Sequence, residues 1–375
     1  MSFTKPYNNQ NLNFFDKIKS LDIQLIFLVL ILGAVSFFVM FSIDGGEFGY
    51  YTNNHIIRFF LFFFIFIAIS FININFWYRS SYLFFIAIML LLLSVDFFGV
   101  VSSGSKRWLN LYVINIQPSE LMKIALILFL ARYYQKIPSH DVNRIKNLFQ
   151  PLFAILIPMM LIIRQPDLGT SVLIGAGGLC VIFLVGLRLK YLLYSFFFFL
   201  TLSPIVIAFL KPYQKMRILT FLNPERDPLG AGYQIIQSKI AVGSGGILGK
   251  GFLKGSQSYL DYLPEKHTDF VFTLFSEEFG FLGSTCLLIL YALIIFRIVN
   301  IGQNCRNNFA KIFCYGFAAS FFIYVIVNMS MVLGLLPIVG APLPIMSYGG
   351  SAMLAIMIGL GIVGSSHVHK NEAIQ

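Results

Sequence analysis

Charged residues are scarce in this chain of 375 residues, of which 11% are charged and 58% hydrophobic. The mean hydropathy of +0.80 is typical of polytopic membrane proteins and excludes an ordinary soluble domain. Without a soluble domain to carry a basic face, the net charge of +11 does not indicate a nucleic-acid partner.

Cysteines are also few, and cofactor motifs are not evident. The four cysteines show no CxxC spacing, so neither a disulfide framework nor a zinc site is predicted. The stretch Gly243–Gly251 resembles a phosphate loop, but Ser244 and Gly251 replace the Gly and the Ser or Thr that such a loop requires. A glycine-rich turn that ends an interfacial helix is the favoured interpretation.

Hydrophobic segments recur along the whole chain. A helix needs about 20 apolar residues to cross a bilayer, and the sequence predicts one all-α polytopic membrane domain over residues 1–375 with about ten such helices. The predicted spans are Ile23–Ile43, Ile56–Phe76, Ser81–Val100, Pro118–Tyr134, Phe149–Ile163, Thr170–Leu187, Tyr191–Leu210, Thr268–Ile298, Phe309–Leu333 and Leu343–Ser365.

The distribution of basic residues predicts the orientation. With the N-terminus inside, the short outer loops and their edges carry only Arg58, Lys106, Arg107 and Arg164, whereas the inner segments carry many Lys and Arg. By the positive-inside rule, both termini are therefore predicted to be cytoplasmic. The long polar loop of residues 211–267, before the eighth helix, is then external.

The most informative stretch is Leu-Pro-Glu-Lys-His-Thr-Asp-Phe at residues 263–270, where this loop re-enters a hydrophobic segment. Glu277 and Glu278 follow at depths where carboxylates are costly, so at least one of these acids is expected to be functional. At a rise of ~1.5 Å per residue, Glu277 lies about 12 Å deeper than Asp269. Asp269 is therefore the acid that can meet a polar substrate at the surface. The structural alternative is that Thr268 caps the helix and Asp269 interacts with its dipole.

Two polar segments lie at the start of predicted helices on the external side. Glu120 and Lys123 follow Pro118 on one helix face, either as the lining of a cavity or as a structural ion pair. Arg164 and Asp167 flank a Pro-Gly turn, which a pair between them could stabilise.

Two more segments complete the set. Residues 233–242 predict an amphipathic surface helix whose Gln237 and Lys239 face either a lipid head group or solvent. Residues 336–351 contain prolines and glycines that break a helix at membrane depth, which is tolerated where the backbone is buried or lines a cavity. Close helix packing alone would also explain that segment.

Taken together and in this order, these motifs resemble the SEDS family (shape, elongation, division and sporulation) of bacterial membrane proteins. The resemblance covers essentially the whole chain. Segments 223–233 and 254–262 are more similar to the elongation member than to the division member. The matching stretches are residues 106–109, 117–120 with Lys123, 165–170, 237–241 with 243–246, 264–270 and 347–351.

The resemblance implies a peptidoglycan glycosyltransferase in the bacterial cytoplasmic membrane, which polymerises lipid II on the outer side and releases undecaprenyl diphosphate. The implied partners are a class B penicillin-binding protein, which supplies transpeptidation, and other membrane proteins of the rod-elongation complex. Asp269 matches the family's essential aspartate in the His-Thr-Asp-Phe motif.

This chemistry assigns roles to the residues. Asp269 is expected to be the general base for the acceptor 4-hydroxyl. The leaving diphosphate gathers negative charge, which Lys, Arg or a divalent cation (Mg²⁺ or Mn²⁺) would stabilise. The candidate residues for binding the diphosphate or the sugar are Lys123, Arg107, Lys239, Arg164, Glu120, Gln237, His267 and Ser347.

Two other classes of function remain open. A flippase or transporter of the lipid-linked precursor would use Glu277, Glu278 and Lys123 inside the membrane, and a scaffold would depend on Asp269 only for folding. The shallow position of Asp269 favours chemistry, because carriers hold their key charges near the midplane.

Overall fold

A computed structural model describes residues 13–102, 105–110, 115–138, 140–191, 193, 194, 197, 201, 212–227, 230–255 and 266–372. Within these ranges the protein is a helical bundle with a small antiparallel sheet at one end. A 3-10 turn, Pro224–Arg226, lies between the helices Pro212–Leu222 and Ala231–Ser244. The helices are α1 Phe14–Lys19, α2 Ile23–Ile43, α3 Tyr50–Ser70, α4 Ile74–Phe98, α5 Pro118–Tyr134, α6 Ile145–Arg164, α7 Leu168–Val185, α8 Pro212–Leu222, α9 Ala231–Ser244, α10 Val271–Asn304, α11 Asn308–Val332 and α12 Gly350–Val368.

Most of these helices have the dimensions of membrane spans. Eight of the described helices (α2, α3, α4, α6, α7, α10, α11 and α12) are long and apolar enough to cross a bilayer, which confirms the predicted multi-pass helical fold. The 17-residue α5 is buried on nearly all sides by α4, α7, α11 and α12. The predicted span Tyr191–Leu210 lies largely outside the described residues, so the total of ten helices stays a prediction.

Some predicted helix ends were wrong. Helix α3 begins at Tyr50 rather than Ile56, because its first turn accommodates Asn53 and Asn54, whose amides donate to nearby backbone carbonyls at 2.7 and 2.8 Å. Helix α12 begins at Gly350 rather than Leu343, since the segment before it is not helical.

A three-stranded antiparallel sheet follows α4 and was not predicted. Its strands are β1 Val100–Ser102, β2 Ser105–Asn110 and β3 Asn115–Ile116, in the order β1-β2-β3. The β-branched and aromatic residues of this connection suit strands, and the ladder satisfies their backbone groups locally. The Lys-Arg-Trp-Leu motif therefore lies on β2.

Both ends of the described chain meet at the opposite end of the bundle. Asp22, at the start of α2, binds Arg297 of α10 at 2.6 Å and lies 3.5 Å from His367 of α12. The two termini are thus on the same side, as the predicted topology requires.

Helix α10 is broken within its first third. Gly280 has φ +64° and ψ −160°, outside the helical region. In a continuous helix the carbonyls of Glu277 and Glu278 would accept from the N–H groups of Phe281 and Leu282. The break leaves those four backbone groups without their helical partners.

Residues 245–251, here called the glycine loop, supply the missing partners. The N–H groups of Lys250 and Gly251 donate to the two α10 carbonyls at 3.0 Å each. The carbonyls of Gly246 and Ile247 accept from the two α10 N–H groups at 2.9 and 3.0 Å. The predicted glycine-rich turn does follow a helix, α9, and it is hydrogen-bonded into the break.

Replacing Gly249 or Gly280 with alanine is expected to lower the free energy of unfolding by at least about 2 kcal/mol. The reason is that both residues have a positive φ, where a Cβ is disfavoured, and the added Cβ would overlap the facing backbone. A Cβ on Gly249 (φ +81°) would lie 2.1 Å from the Glu278 carbonyl oxygen, and one on Gly280 (φ +64°) would lie 2.3 Å from the Gly249 nitrogen. Thermal unfolding of Gly249→Ala and Gly280→Ala in detergent measures the effect.

Two glycines provide matched controls. Gly246→Ala isolates the backbone strain, since its φ is +57° and nothing lies within 4 Å of the added Cβ. Gly243→Ala is expected to be neutral or stabilising, because this glycine is helical and faces open space. Native melting of Gly249→Ala would contradict close packing of the loop in the break.

Candidate functional site

The predicted catalytic aspartate lies in a turn that precedes α10. The helix begins at Val271, with Phe270 at the N-cap position and no side-chain cap, so the alternative in which Thr268 caps the helix is wrong. Asp269 lies in the turn of residues 266–270 and is partly exposed.

The backbone of this turn is held by three donors from two segments. The carbonyls of residues 267, 268 and 269 accept, in that order, from the Tyr348 N–H at 2.8 Å, the Ser347 hydroxyl at 2.6 Å and the Asn328 amide at 2.9 Å. Two of these donors lie just before α12 and the third lies on α11. The position of Asp269 therefore depends on segments distant in sequence.

The carboxylate of Asp269 lies beside the non-helical segment 334–349. A Cβ built on Gly340, whose φ is +73°, would be 3.7 Å from Asp269 Oδ2. The same Asn328 amide that binds the turn also donates to the Ala341 carbonyl at 2.6 Å. The predicted break at prolines and glycines is confirmed, and its backbone forms a wall of the site.

His267 belongs to an aromatic cluster that brings α3 to the site. Its ring stacks on Tyr51 with centroids 4.1 Å apart and meets Tyr348 edge-on at 5.9 Å. The Arg58 guanidinium lies 4.7 Å from the centre of the Tyr348 ring. Sequence motifs had not connected α3 with the histidine.

Glu120 and Lys123 form the predicted pair on one face of α5. Their oxygen and nitrogen are 2.6 Å apart, and both side chains are 5% exposed. Lys123 Nζ also lies 3.6 Å from the centre of the Tyr324 ring. Tyr324 lies one turn before Asn328 on α11, about 6 Å along the helix at ~1.5 Å per residue.

The sequence suggested a pair between Arg164 and Asp167. In the structure, Asp167 pairs with a different arginine. Its carboxylate binds Arg107 of β2 at 3.3 Å, accepts from the Gln117 amide at 3.2 Å and caps α7 through the Thr170 N–H at 3.1 Å. Arg164 is exposed and forms no ion pair with the residues that the structure describes. The three-stranded sheet places Arg107 beside Asp167. The sequence analysis did not predict this sheet and so did not predict the pair.

The surface helix α9 carries Gln237 and Lys239, as predicted. Ser238 between them anchors the helix, with its hydroxyl 2.9 Å from the Thr273 hydroxyl and 2.7 Å from the Val332 carbonyl. Gln237 is half-buried and Lys239 is exposed. Both therefore flank the first turn of α10.

The deeper acids Glu277 and Glu278 are paired inside the protein. Glu277 is fully buried and binds Lys250 of the glycine loop at 2.6 Å. Glu278 accepts a hydrogen bond from the hydroxyl of Ser42 on α2. These carboxylates join α10 to its neighbours.

Asn328 is one of the residues at this site that the sequence motifs did not reveal. The available signal was an amide within the apolar stretch of α11, where a polar group is costly and therefore informative. Across the part of the chain that the structure describes, no three His, Cys, Asp or Glu side chains are grouped to hold a metal ion.

Known proteins resemble the chain over nearly its full length. A family model described as cell cycle protein (FtsW, RodA and SpoVE) matches residues 20–372. The peptidoglycan glycosyltransferase MrdB of Escherichia coli (strain K12) is 46% identical over 294 residues, which is 78% of either chain. Stage V sporulation protein E of Bacillus subtilis (strain 168) is 35% identical over 307 residues, covering 79% of this chain and 82% of that protein.

Solved structures share the fold. A chain from a structure on the coordination of polymerization and crosslinking by a peptidoglycan synthase complex superposes with a TM-score of 0.82 at 30% identity, covering 94% of this chain and 99% of its own. The crystal structure of Thermus thermophilus rod shape determining protein RodA gives a TM-score of 0.70 at 27% identity, covering 94% and 98%.

The pair of Glu120 and Lys123 yields a test of buried charge. Lys123→Met is expected to lower the free energy of unfolding by about 3 kcal/mol, because it leaves a buried carboxylate unpaired. Glu120→Gln combined with Lys123→Met is expected to recover most of the loss. Thermal unfolding measures both, with the exposed Lys146→Met as control. Equal melting of the single and double variants would contradict the coupling.

Proposed function

Because the chain belongs to the FtsW/RodA/SpoVE family, we propose that it polymerises lipid II with Asp269 as the general base. It is a RodA-like peptidoglycan glycosyltransferase, as the motifs predicted. The substrate, the chemical step and the roles of individual residues are proposed from the contacts described above.

The proposed step is a single displacement. The 4-hydroxyl oxygen of the acceptor sugar bonds to the anomeric carbon of the donor while the bond from that carbon to the diphosphate oxygen breaks. The hydroxyl proton passes to the Asp269 carboxylate, and undecaprenyl diphosphate leaves with the electron pair. One displacement inverts the α-linked donor to a β-linked glycan, so a second nucleophilic carboxylate is not required.

The accessibility of Asp269 supports this assignment. The acids Glu120, Asp167, Glu277 and Glu278 at this end of the bundle are each 5% exposed or less. Asp269 is partly exposed and its backbone is fixed. A general base must lie within hydrogen-bond reach of the proton that it takes, and Asp269 meets that requirement best.

Accessible cations are proposed to bind the diphosphate. Lys239 is exposed, and Arg107 is 25% exposed although its guanidinium pairs with Asp167. Lys123 is 5% exposed and paired with Glu120, so it adds positive charge from inside the bundle. Arg164 remains a weaker candidate on the same side. The cations would stabilise the charge that develops on the leaving group.

Partly exposed polar groups near the turn are proposed to bind the sugars. Gln237 on α9 and His267, stacked on Tyr51, both fit this role. The hydroxyl of Ser347 is already bonded within the protein, which favours a structural contribution from this candidate.

The proposed setting is the bacterial cytoplasmic membrane, with the site on the external side and a class B penicillin-binding protein of the rod-elongation complex as partner. The distribution of basic residues supports the orientation. The likeness to a chain of a peptidoglycan synthase complex supports an assembly with a crosslinking enzyme.

Polymerisation of purified lipid II, with the class B partner present, tests the proposal. Asp269→Asn is expected to lower the rate by at least about 10²-fold, the usual contribution of a general base. The control is Asp44→Asn, which changes a carboxylate bonded to Thr52 at 2.6 Å and is expected to keep near-native activity. Native activity of a folded Asp269→Asn would remove Asp269 from the chemistry. Transport of labelled lipid II across vesicles without polymer from either protein would favour a flippase.

A further inference from the structure

The turn that carries Asp269 is connected to a strained segment before α12. Within that segment Ile345 has φ +67°, a left-handed conformation that is costly for a β-branched residue. Such strain persists only where the surroundings impose it, and it is often found at functional sites.

Ser347 closes the strained turn and, with the same hydroxyl, binds the turn of residues 266–270, here called the catalytic turn. The hydroxyl oxygen accepts from the Leu343 N–H at 2.8 Å, and the O–H donates to the Thr268 carbonyl at 2.6 Å. The Tyr291 hydroxyl donates to the Pro344 carbonyl at 2.8 Å and supports the turn from α10. Ser347 is 4% exposed, so these bonds are shielded from solvent.

Asn328 performs the matching function from α11. Its fully buried amide group donates both of its hydrogens, one to the Asp269 carbonyl at 2.9 Å and one to the Ala341 carbonyl at 2.6 Å. Ala341 follows Gly340, the residue beside the Asp269 carboxylate. One amide therefore sets the distance between the aspartate and the wall that it faces.

We propose that Asn328 and Ser347 are positioning residues for glycosyl transfer, which hold the carboxylate of Asp269 at the place where the acceptor hydroxyl is deprotonated. The proposal rests on the proposed role of Asp269 as general base. Neither side chain needs to touch the substrate, because each acts on the backbone of the catalytic turn. A displacement of about 1 Å can cost about 10²-fold in rate.

The test separates positioning from simple folding. Asn328→Leu keeps the volume and removes the donors, and Ser347→Ala removes the hydroxyl. Both are expected to lower kcat for lipid II polymerisation about 10²-fold with KM little changed, which is the signature of an interaction that matters in the transition state. Ser347→Thr retains the hydroxyl and is expected to recover most of the lost rate.

Two controls change similar bonds far from the site. Asn143 bridges the Gly186 carbonyl at 3.1 Å and the Arg188 N–H at 2.9 Å, and Ser365 donates to the Ile72 carbonyl at 2.6 Å. Asn143→Leu and Ser365→Ala are expected to keep the native kcat per folded molecule, with folding followed by thermal unfolding.

A double variant distinguishes positioning of Asp269 from a purely structural role of Asn328. If Asn328 acts only through Asp269, Asn328→Leu adds no further loss to the residual rate of Asp269→Asn. A further loss equal to that of Asn328→Leu alone would overturn the proposal, as would a native kcat for Asn328→Leu with Asp269→Asn inactive. Native activity of Asp269→Asn would instead remove the general base itself.

Discussion

Buried backbone groups that leave regular helix must find hydrogen-bond partners elsewhere in the protein, since a lipid environment supplies none. The irregular segments of this bundle satisfy that requirement through one another. The glycine loop fills the break at Gly280 with four backbone hydrogen bonds. Segment 334–349 and α11 do the same for the turn that carries Asp269. The site is thus assembled from non-helical chain that only tertiary contacts can stabilise.

Buried charged side chains also find partners inside the protein. The acids inside the bundle bind partners on other segments, and only the pair on α5 is local in sequence. Unpaired, each would carry a desolvation cost of several kcal/mol. Asp269 is partly exposed and Lys239 on the same side is exposed, so both are accessible to a polar substrate. The internal pairs among the described residues include Glu120 with Lys123, Asp167 with Arg107, Glu277 with Lys250 and Asp22 with Arg297.

The proposed chemistry draws on both the membrane setting and a fixed base. In that proposal the apolar outer faces of the helices accommodate polyprenyl tails, and the polar end of the bundle receives the sugars and the diphosphate. Rate depends on keeping the base within a fraction of an ångström of its working position. In the proposed mechanism, the hydrogen bonds of Asn328 and Ser347 to the turn that carries Asp269 supply the rigidity that such a step requires.

The sequence by itself determined the membrane fold, the family and the candidate aspartate, because hydropathy, charge bias and ordered motifs are properties of the linear chain. It placed Lys123 beside Glu120, since helical spacing alone brings them together. It misplaced the start of α12 and paired Asp167 with the wrong arginine. Tertiary structure decided that Asn328 holds Asp269, 59 residues away, because such contacts depend on how irregular segments satisfy each other's buried polar groups, which no local pattern encodes.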